Sequence, residues 1–382
     1  METHPEQFDD ICPLKSNEVP AAVAQLLSEP QFIKVLAYLF PKQDIEEVKA
    51  LFQRVQSVDD FQRKIDYPFL KNLEAKTSLG ITLKGIDGLD KSLNYLYISN
   101  HRDIVLDSAY LCINLIDNNL DTVEIAIGDN LLIYPWIATL VRLNKSFLVK
   151  RGVSGRGQLE ASQHLSSYIR YALLEKRQSI WLAQREGRAK DGNDRTQESL
   201  LKMLNMSGTG TISNNLSELN ICPLSISYEY DPCDFLKAKE FQQKRDDAEF
   251  KKSPADDLIS MQTGMLGYKG HVVYTLGENL SDSLRNLPHL PRNEQYEAIA
   301  KLIDKQIHKN FVIFDTNRIA NDLLHPQNKV GGYEPEAVVA FEKYIDQQIR
   351  KIDLQNRDDA FLRERILDMY ANPLVNKLLA QE

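Results

Sequence analysis

The stretch SNHRDIVLD, Ser99 to Asp107, places a histidine, an arginine and two carboxylates directly after the apolar run LNYLYI. A histidine with a carboxylate on one ring nitrogen is a general base. The acid fixes the tautomer and stabilises the imidazolium formed when the other nitrogen takes a proton. Two acids follow His101: Asp103, and Asp107 after the five residues RDIVL. Asp103 also suits a helix N-cap, with Asp107 then a surface acid; as a dyad, either acid could partner His101. His-Arg-Asp is in addition the tripeptide of protein-kinase catalytic loops. That machinery needs an asparagine five residues after the aspartate, where this chain has Ser108. No Asp-Phe-Gly and no phosphate-binding glycine loop accompany it, so the missing parts argue against a kinase. No Gly-x-Ser-x-Gly nucleophile is present either. The group left for His101 to activate is a substrate hydroxyl, attacking a donor such as a thioester.

Two basic stretches follow. RLNKSFLVKRGVSGRG carries Arg142, Lys145, Lys150, Arg151 and Arg156, and WLAQREGRAKDGNDRTQ carries Arg185, Arg188, Lys190 and Arg195 with Glu186 and Gly187. Guanidinium forks suit phosphate, and glycines let it approach backbone amides. If both stretches follow parallel strands, they converge on one sheet edge and surround the crevice holding His101.

The elements that would do this positioning are legible. Short apolar, β-branched runs appear at GITLKGI, LNYLYIS, VEIAIG, SFLVKR, SIWLAQ, CPLSISYEY and GHVVYTLG. Helical spacing fills 107–118, 130–143, 157–177, 197–205 and 255–266 between them, and continues at 293–312, 336–355 and 358–380. Strands alternating with helices predict an α/β fold: a mixed, mostly parallel sheet flanked by helices, with helical N- and C-terminal additions. The chain divides into a helical region over 1–78, an α/β domain over 79–330 and a C-terminal helical extension over 331–382. The charged run 237–252 reads as a solvated surface helix. DNLLIYPWIATLVRL, 129–143, has Tyr134 and Trp136 and suits either a buried helix or a peripheral membrane contact.

A net charge of −8 argues against a nucleic-acid partner, so an anionic ligand must be met by a local basic cluster. Four scattered cysteines fit neither a disulfide framework nor a zinc site, and the seven histidines show no metal-ligand spacing. Without a signal-like N-terminus or a long apolar span, the expectation is a cytoplasmic protein, peripheral at the inner face of the cell membrane if it touches lipid.

Taken in order, NHRDIVLD, SFLVKR, AQREGRAKDG and ICPLSISYE resemble the four blocks of the glycerolipid acyltransferases, over about residues 80–280. These are the glycerol-3-phosphate and 1-acylglycerol-3-phosphate O-acyltransferases. The resemblance implies a glycerol-3-phosphate acyltransferase-like fold with His101 as base and Asp107 orienting it. It implies substrate binding by Arg102, Lys150, Arg151, Glu186, Gly187, Arg188 and Pro223, with Pro223 shaping the acyl-donor side. It implies no cofactor or metal: acyl-CoA or acyl carrier protein is the co-substrate, and a glycerol-phosphate-type molecule is the acceptor. Two departures are visible. The family has four residues between the histidine and the aspartate, and this chain has five. The third block commonly places a residue between Glu-Gly and the arginine, whereas Arg188 follows Gly187 at once. A one-residue bulge at the strand–helix turn would restore the first contact.

Overall fold

The computed structural model describes residues 5–40, 43–152 and 154–381. Seven strands form one sheet in the order β1-β7-β6-β2-β5-β3-β4. They are β1 (Gly80–Lys84), β2 (Leu96–Ser99), β3 (Glu124–Gly128), β4 (Ser146–Val149), β5 (Ile180–Ala183), β6 (Ile221–Tyr228) and β7 (His271–Leu276). β6, β2, β5, β3 and β4 run parallel; β7 is antiparallel to β6, and β1 pairs parallel with β7. The sheet is therefore mixed and mostly parallel, flanked by helices. Each predicted strand run supplies one strand.

Side chains alternate across the strands, so each central strand feeds two cores. Leu96, Ile98, Ile180, Leu182 and Ile221 pack with the helices Arg156–Leu174 and Arg292–Asn310 on one face. Tyr97, Trp181, Leu224, Ile226 and Tyr274 pack with the helix Leu106–Asp117 on the other. The N-terminal helices from Val19–Ser28 to Val58–Phe61 gather a core of their own, which Leu143 and Trp136 join from the helix Pro135–Leu143, while Leu70 and Leu73 of the helix Tyr67–Thr77 pack into the sheet core. That helix begins at Pro135, an early position where the missing N–H costs nothing, so the expected 130–143 helix is shorter by its first turn. No helix among the described residues is long and apolar enough to cross a membrane.

A further core is shared by four helices: Asp234–Asp246, Asp315–Leu324, Pro335–Arg350 and Asp359–Gln381. The charged run read as a solvated surface helix is corrected here. Helix Asp234–Asp246 buries Asp234, Lys237, Ala238, Glu240 and Gln242 against its neighbours. Lys237 is paired there with Asp231 and Glu240 with Lys190, which a pattern of letters does not reveal, while residues 244–249 stay exposed as expected. Pro373 lies within helix Asp359–Gln381 and cannot donate to the Met369 carbonyl one turn back. Gly192, at φ +73°, packs against that carbonyl so closely that a Cβ would collide with it. Asn372 donates to the Asp191 carbonyl at 2.7 Å, and Arg195 to Asn376 at 2.8 Å, so the C-terminal helix grips the loop after β5.

Candidate active site

β2 ends at Ser99, in the middle of the sheet, with its C-terminal end on the same edge as those of β3, β4, β5 and β6. Asn100 extends the ladder with its side chain, donating to the Ile226 carbonyl and accepting from the Ile226 N–H, both at 2.8 Å. The next residue is thereby fixed against the strand end. His101 Nδ1 lies 2.8 Å from Asp107 Oδ2. The same carboxylate oxygen accepts the backbone N–H groups of Arg102 at 2.6 Å and Asp103 at 3.1 Å. Asp107 is wholly buried, while the His101 side chain keeps 14% of its surface exposed. A carboxylate accepts only, so Nδ1 donates and Nε2 is the nitrogen left for substrate. The Trp181 ring meets the imidazole edge-on, 5.6 Å between centroids, and its indole N–H is tied to Ser99 Oγ at 3.0 Å.

The extra residue between His101 and Asp107 is absorbed after the strand, in the turn at Ile104–Val105. Asp103 Oδ1 accepts from the Val105 and Leu106 N–H groups at 2.9 and 2.8 Å, capping the helix whose first turn carries Asp107. Asp103 is thus the cap and Asp107 the partner of the histidine. Burial, with the Asp107 charge adding to it, pushes the Asp103 carboxyl up from its ordinary range.

The loop is braced from behind. Lys237 is buried, ion-paired with Asp231, and donates to the Arg102 carbonyl at 3.2 Å. Burial opposes the Asp231 charge, yet the Lys237 ammonium holds its carboxyl below the usual value. The Arg102 side chain turns inward, 3.4 Å from buried Asp194 and over the Phe311 ring. Desolvation raises the Asp194 carboxyl despite that guanidinium.

The other expected site residues divide. Arg151, after β4, and Glu186, after β5, meet in an ion pair of 2.8 Å across the sheet edge. The Arg151 N–H is held by Asp129, after β3, at 2.9 Å. Gly187 adopts φ +67° with open space where a Cβ would stand. Arg188 lines a cleft of about 150 Å³ with Lys190, Lys237, Lys239 and Lys252, and its Nη1 is buried without a hydrogen-bond partner. Lys237 and the helix Pro254–Leu266 link this cleft to the dyad, for Gly264 of that helix abuts the Asp103 carboxylate. Lys150 instead pairs with Asp10 at 2.6 Å, on the N-terminal segment. Pro223 is buried inside β6 opposite Ile98, about 10 Å along the strand from the level of His101.

The expectation that both basic stretches encircle the crevice therefore needs correcting. Arg142 donates to the Cys12 and Asp9 carbonyls, and Lys145 is buried against Thr122. Arg156 pairs with Glu160 at the exposed start of its own helix, and Arg195 turns to His308 and Asn376. Sequence reasoning missed Lys237, Asp231, Asp194 and Trp181. Only the position of Lys237 within a dense charged run offered a signal. Among the described residues, no group of three or more His, Cys, Asp or Glu could hold a metal ion.

Residues 80–227 match the family model described as Acyltransferase. No curated protein matches the chain. Among solved structures, the chain is similar to the 1-acyl-sn-glycerophosphate (LPA) acyltransferase PlsC from Thermotoga maritima. Identity is 12% and the TM-score 0.37, with 75% of this chain and 92% of that one covered.

Proposed function

We propose that this chain, whose residues 80–227 match the Acyltransferase family model, acylates a hydroxyl of glycerol 3-phosphate or a 1-acylglycerol 3-phosphate. The donor is an acyl thioester, on coenzyme A or acyl carrier protein. The observation that carries the reading is the 2.8 Å contact between His101 Nδ1 and Asp107 Oδ2 at the C-terminal edge of a mostly parallel sheet. His101 Nε2 takes the proton of the acceptor hydroxyl as its oxygen attacks the thioester carbonyl. Asp107 stabilises the imidazolium so formed. The tetrahedral adduct collapses by breaking its C–S bond, and the imidazolium proton passes to the departing thiolate. Arg188, whose buried Nη1 has no internal partner, holds the acceptor phosphate. Arg151 and Glu186 border the same edge and contact the acceptor's hydroxyls.

The test is acceptor-dependent thiol release from acyl-CoA, with glycerol 3-phosphate and 1-acylglycerol 3-phosphate as alternative acceptors. Release should require an acceptor and should vanish in His101→Ala. A His101→Ala protein that transfers acyl groups at the parent rate would defeat the mechanism.

A further inference from the structure

Helix Pro254–Leu266 is amphipathic the wrong way round. Its inward side is small where it meets the dyad: Ser260 is buried and its carbonyl accepts from Cys233 Sγ at 3.3 Å, and Gly264 lies against Asp103 with no room for a methyl, while Met265 packs toward the sheet core. Its outward side is apolar. Leu258 (41% exposed), Ile259 and Leu266 (47%) form one stripe at helical spacing. Gln262 on that stripe donates to Tyr38 Oη at 3.0 Å, and Tyr38 itself is exposed. Tyr268 (50%) and Leu79 extend the surface, joined through the Leu79 N–H bond to the Gly270 carbonyl. Isolated exposed leucines need no explanation, but an aligned stripe bordered by tyrosines does.

The stripe borders the Arg188 cleft, since Asp256, Ile259 and Ser260 of the helix line it. Within that lining five cationic side chains face two carboxylates, on a chain whose net charge is negative. Lys251, just before the helix, and Lys34, one turn before Tyr38, are exposed. Apolar side chains pointing out, tyrosines at their border and lysines alongside are the composition of a surface that enters an anionic lipid interface.

We propose that the outward stripe of helix Pro254–Leu266, with Tyr38 and Tyr268, is the face by which this protein seats on an anionic lipid surface. The proposal rests on the acyl-transfer reading for its purpose. Seated so, the helix that touches Asp103 and roofs the Arg188 cleft would present that cleft to the bilayer where a lipid acceptor or product resides. The small inward residues are what let the helix lie close to the dyad, and Leu258, Ile259 and Leu266 are left for the membrane.

The test is co-sedimentation of the full chain with vesicles of phosphatidylcholine, with and without one-third phosphatidylglycerol. Wild type should bind the anionic vesicles, more weakly as salt is raised. Leu258→Ser with Leu266→Ser should lower the partition coefficient about tenfold or more. Neither residue lines the cleft, so an unchanged melting temperature and unchanged turnover of water-soluble substrates would confirm that only docking was lost. Absence of wild-type binding, or equal binding by the double variant, overturns the proposal. So does a wild-type dimer that the double variant breaks with no vesicle binding, or a loss confined to acyl-carrier-protein capture. Vesicle binding is read without catalysis, so a protein that binds but transfers no acyl group keeps the docking face and loses the acyl-transfer reading.

Discussion

Asp107→Asn separates the electrostatic part of the dyad from its geometry. In the parent one carboxylate oxygen faces three donors: His101 Nδ1 and the N–H groups of Arg102 and Asp103. An asparagine can set its amide oxygen in that place and keep all three. The flipped amide would turn an NH₂ against three donors, so the first orientation is enforced. The loop and the tautomer are then retained, and what is lost is the negative charge facing the imidazolium of the transition state. With charge centres about 4 Å apart and an effective dielectric constant near 20, that attraction is worth roughly 4 kcal/mol. The expected fall in kcat/KM is therefore about a thousandfold, carried by kcat. Stability should barely change, because Asp107 is wholly buried with its Oδ1 unpartnered, and a neutral amide relieves desolvation. The assay is steady-state thiol release with acceptor varied, alongside a thermal melt. A loss under about tenfold with the fold intact would refute the assignment of Asp107 as the group that stabilises the charged base.

Three further outcomes follow from other contacts. Arg188→Ala should raise the acceptor KM while leaving the thioester KM largely unchanged; an equal loss for phosphorylated and unphosphorylated acceptors would remove the phosphate role. Lys237→Met strands the Asp231 charge and strips the Arg102 carbonyl of its donor, so the urea midpoint should fall by an amount worth about 3 kcal/mol, with kcat falling too. Adding Asp231→Asn should recover stability but not kcat, and a parental kcat in Lys237→Met would show that the brace is dispensable. Burial pushes the Asp234 carboxyl up to about 7, against the hydrogen bonds it accepts from Tyr344 and Tyr370. The folded state thus holds a proton that the unfolded chain releases near its ordinary value, and this stabilisation, complete below about pH 4, is lost as pH rises to 7. Denaturant melts should show a slope of at most about 1.4 kcal/mol per pH unit from this group, absent in Asp234→Asn.

The sheet was legible because each strand is a short β-branched run with turn residues on both sides, and the parallel strands need the long helical crossovers that the spacing displays. The dyad was legible in its parts. The choice between Asp103 and Asp107 was not, because it depends on how a two-residue turn is capped, and capping geometry is not a spacing rule. The basic loops show the limit more plainly. Lys150 and Arg151 are adjacent in sequence, yet one reaches Asp10 and the other Glu186. Charge type is written in the letters, but the partner is set by side-chain direction at a strand end. Lys237 was misread for the same reason in reverse: a charged run looks solvated until the acid that pairs with it, Asp231, is seen beneath it.

The dyad's loop is surrounded by more buried charge than a structural turn would need. Asp103, Asp107, Asp194 and Asp231 are all buried within it or against it, and the buried cations beside them are Arg102, Lys237 and Lys269. Such an arrangement is poor for stability, because well-packed apolar side chains would hold the turn at lower desolvation cost. It is good for fixing dipoles and charges in place before a reaction begins, in surroundings where their fields are weakly screened. The four acids act separately. Asp103 starts the helix, Asp107 holds the base, Asp194 draws Arg102 inward, and Asp231 secures Lys237 under the Arg102 carbonyl. The last two brace the Arg102 backbone and side chain, and the Arg102 N–H is one of the three donors that fix Asp107. Lys237, in turn, is carried by a helix that shares its core with the C-terminal helices. The position of one imidazole is in this way tied to elements distant in the chain, so that, on the proposed mechanism, the appended helices would affect catalysis without touching substrate.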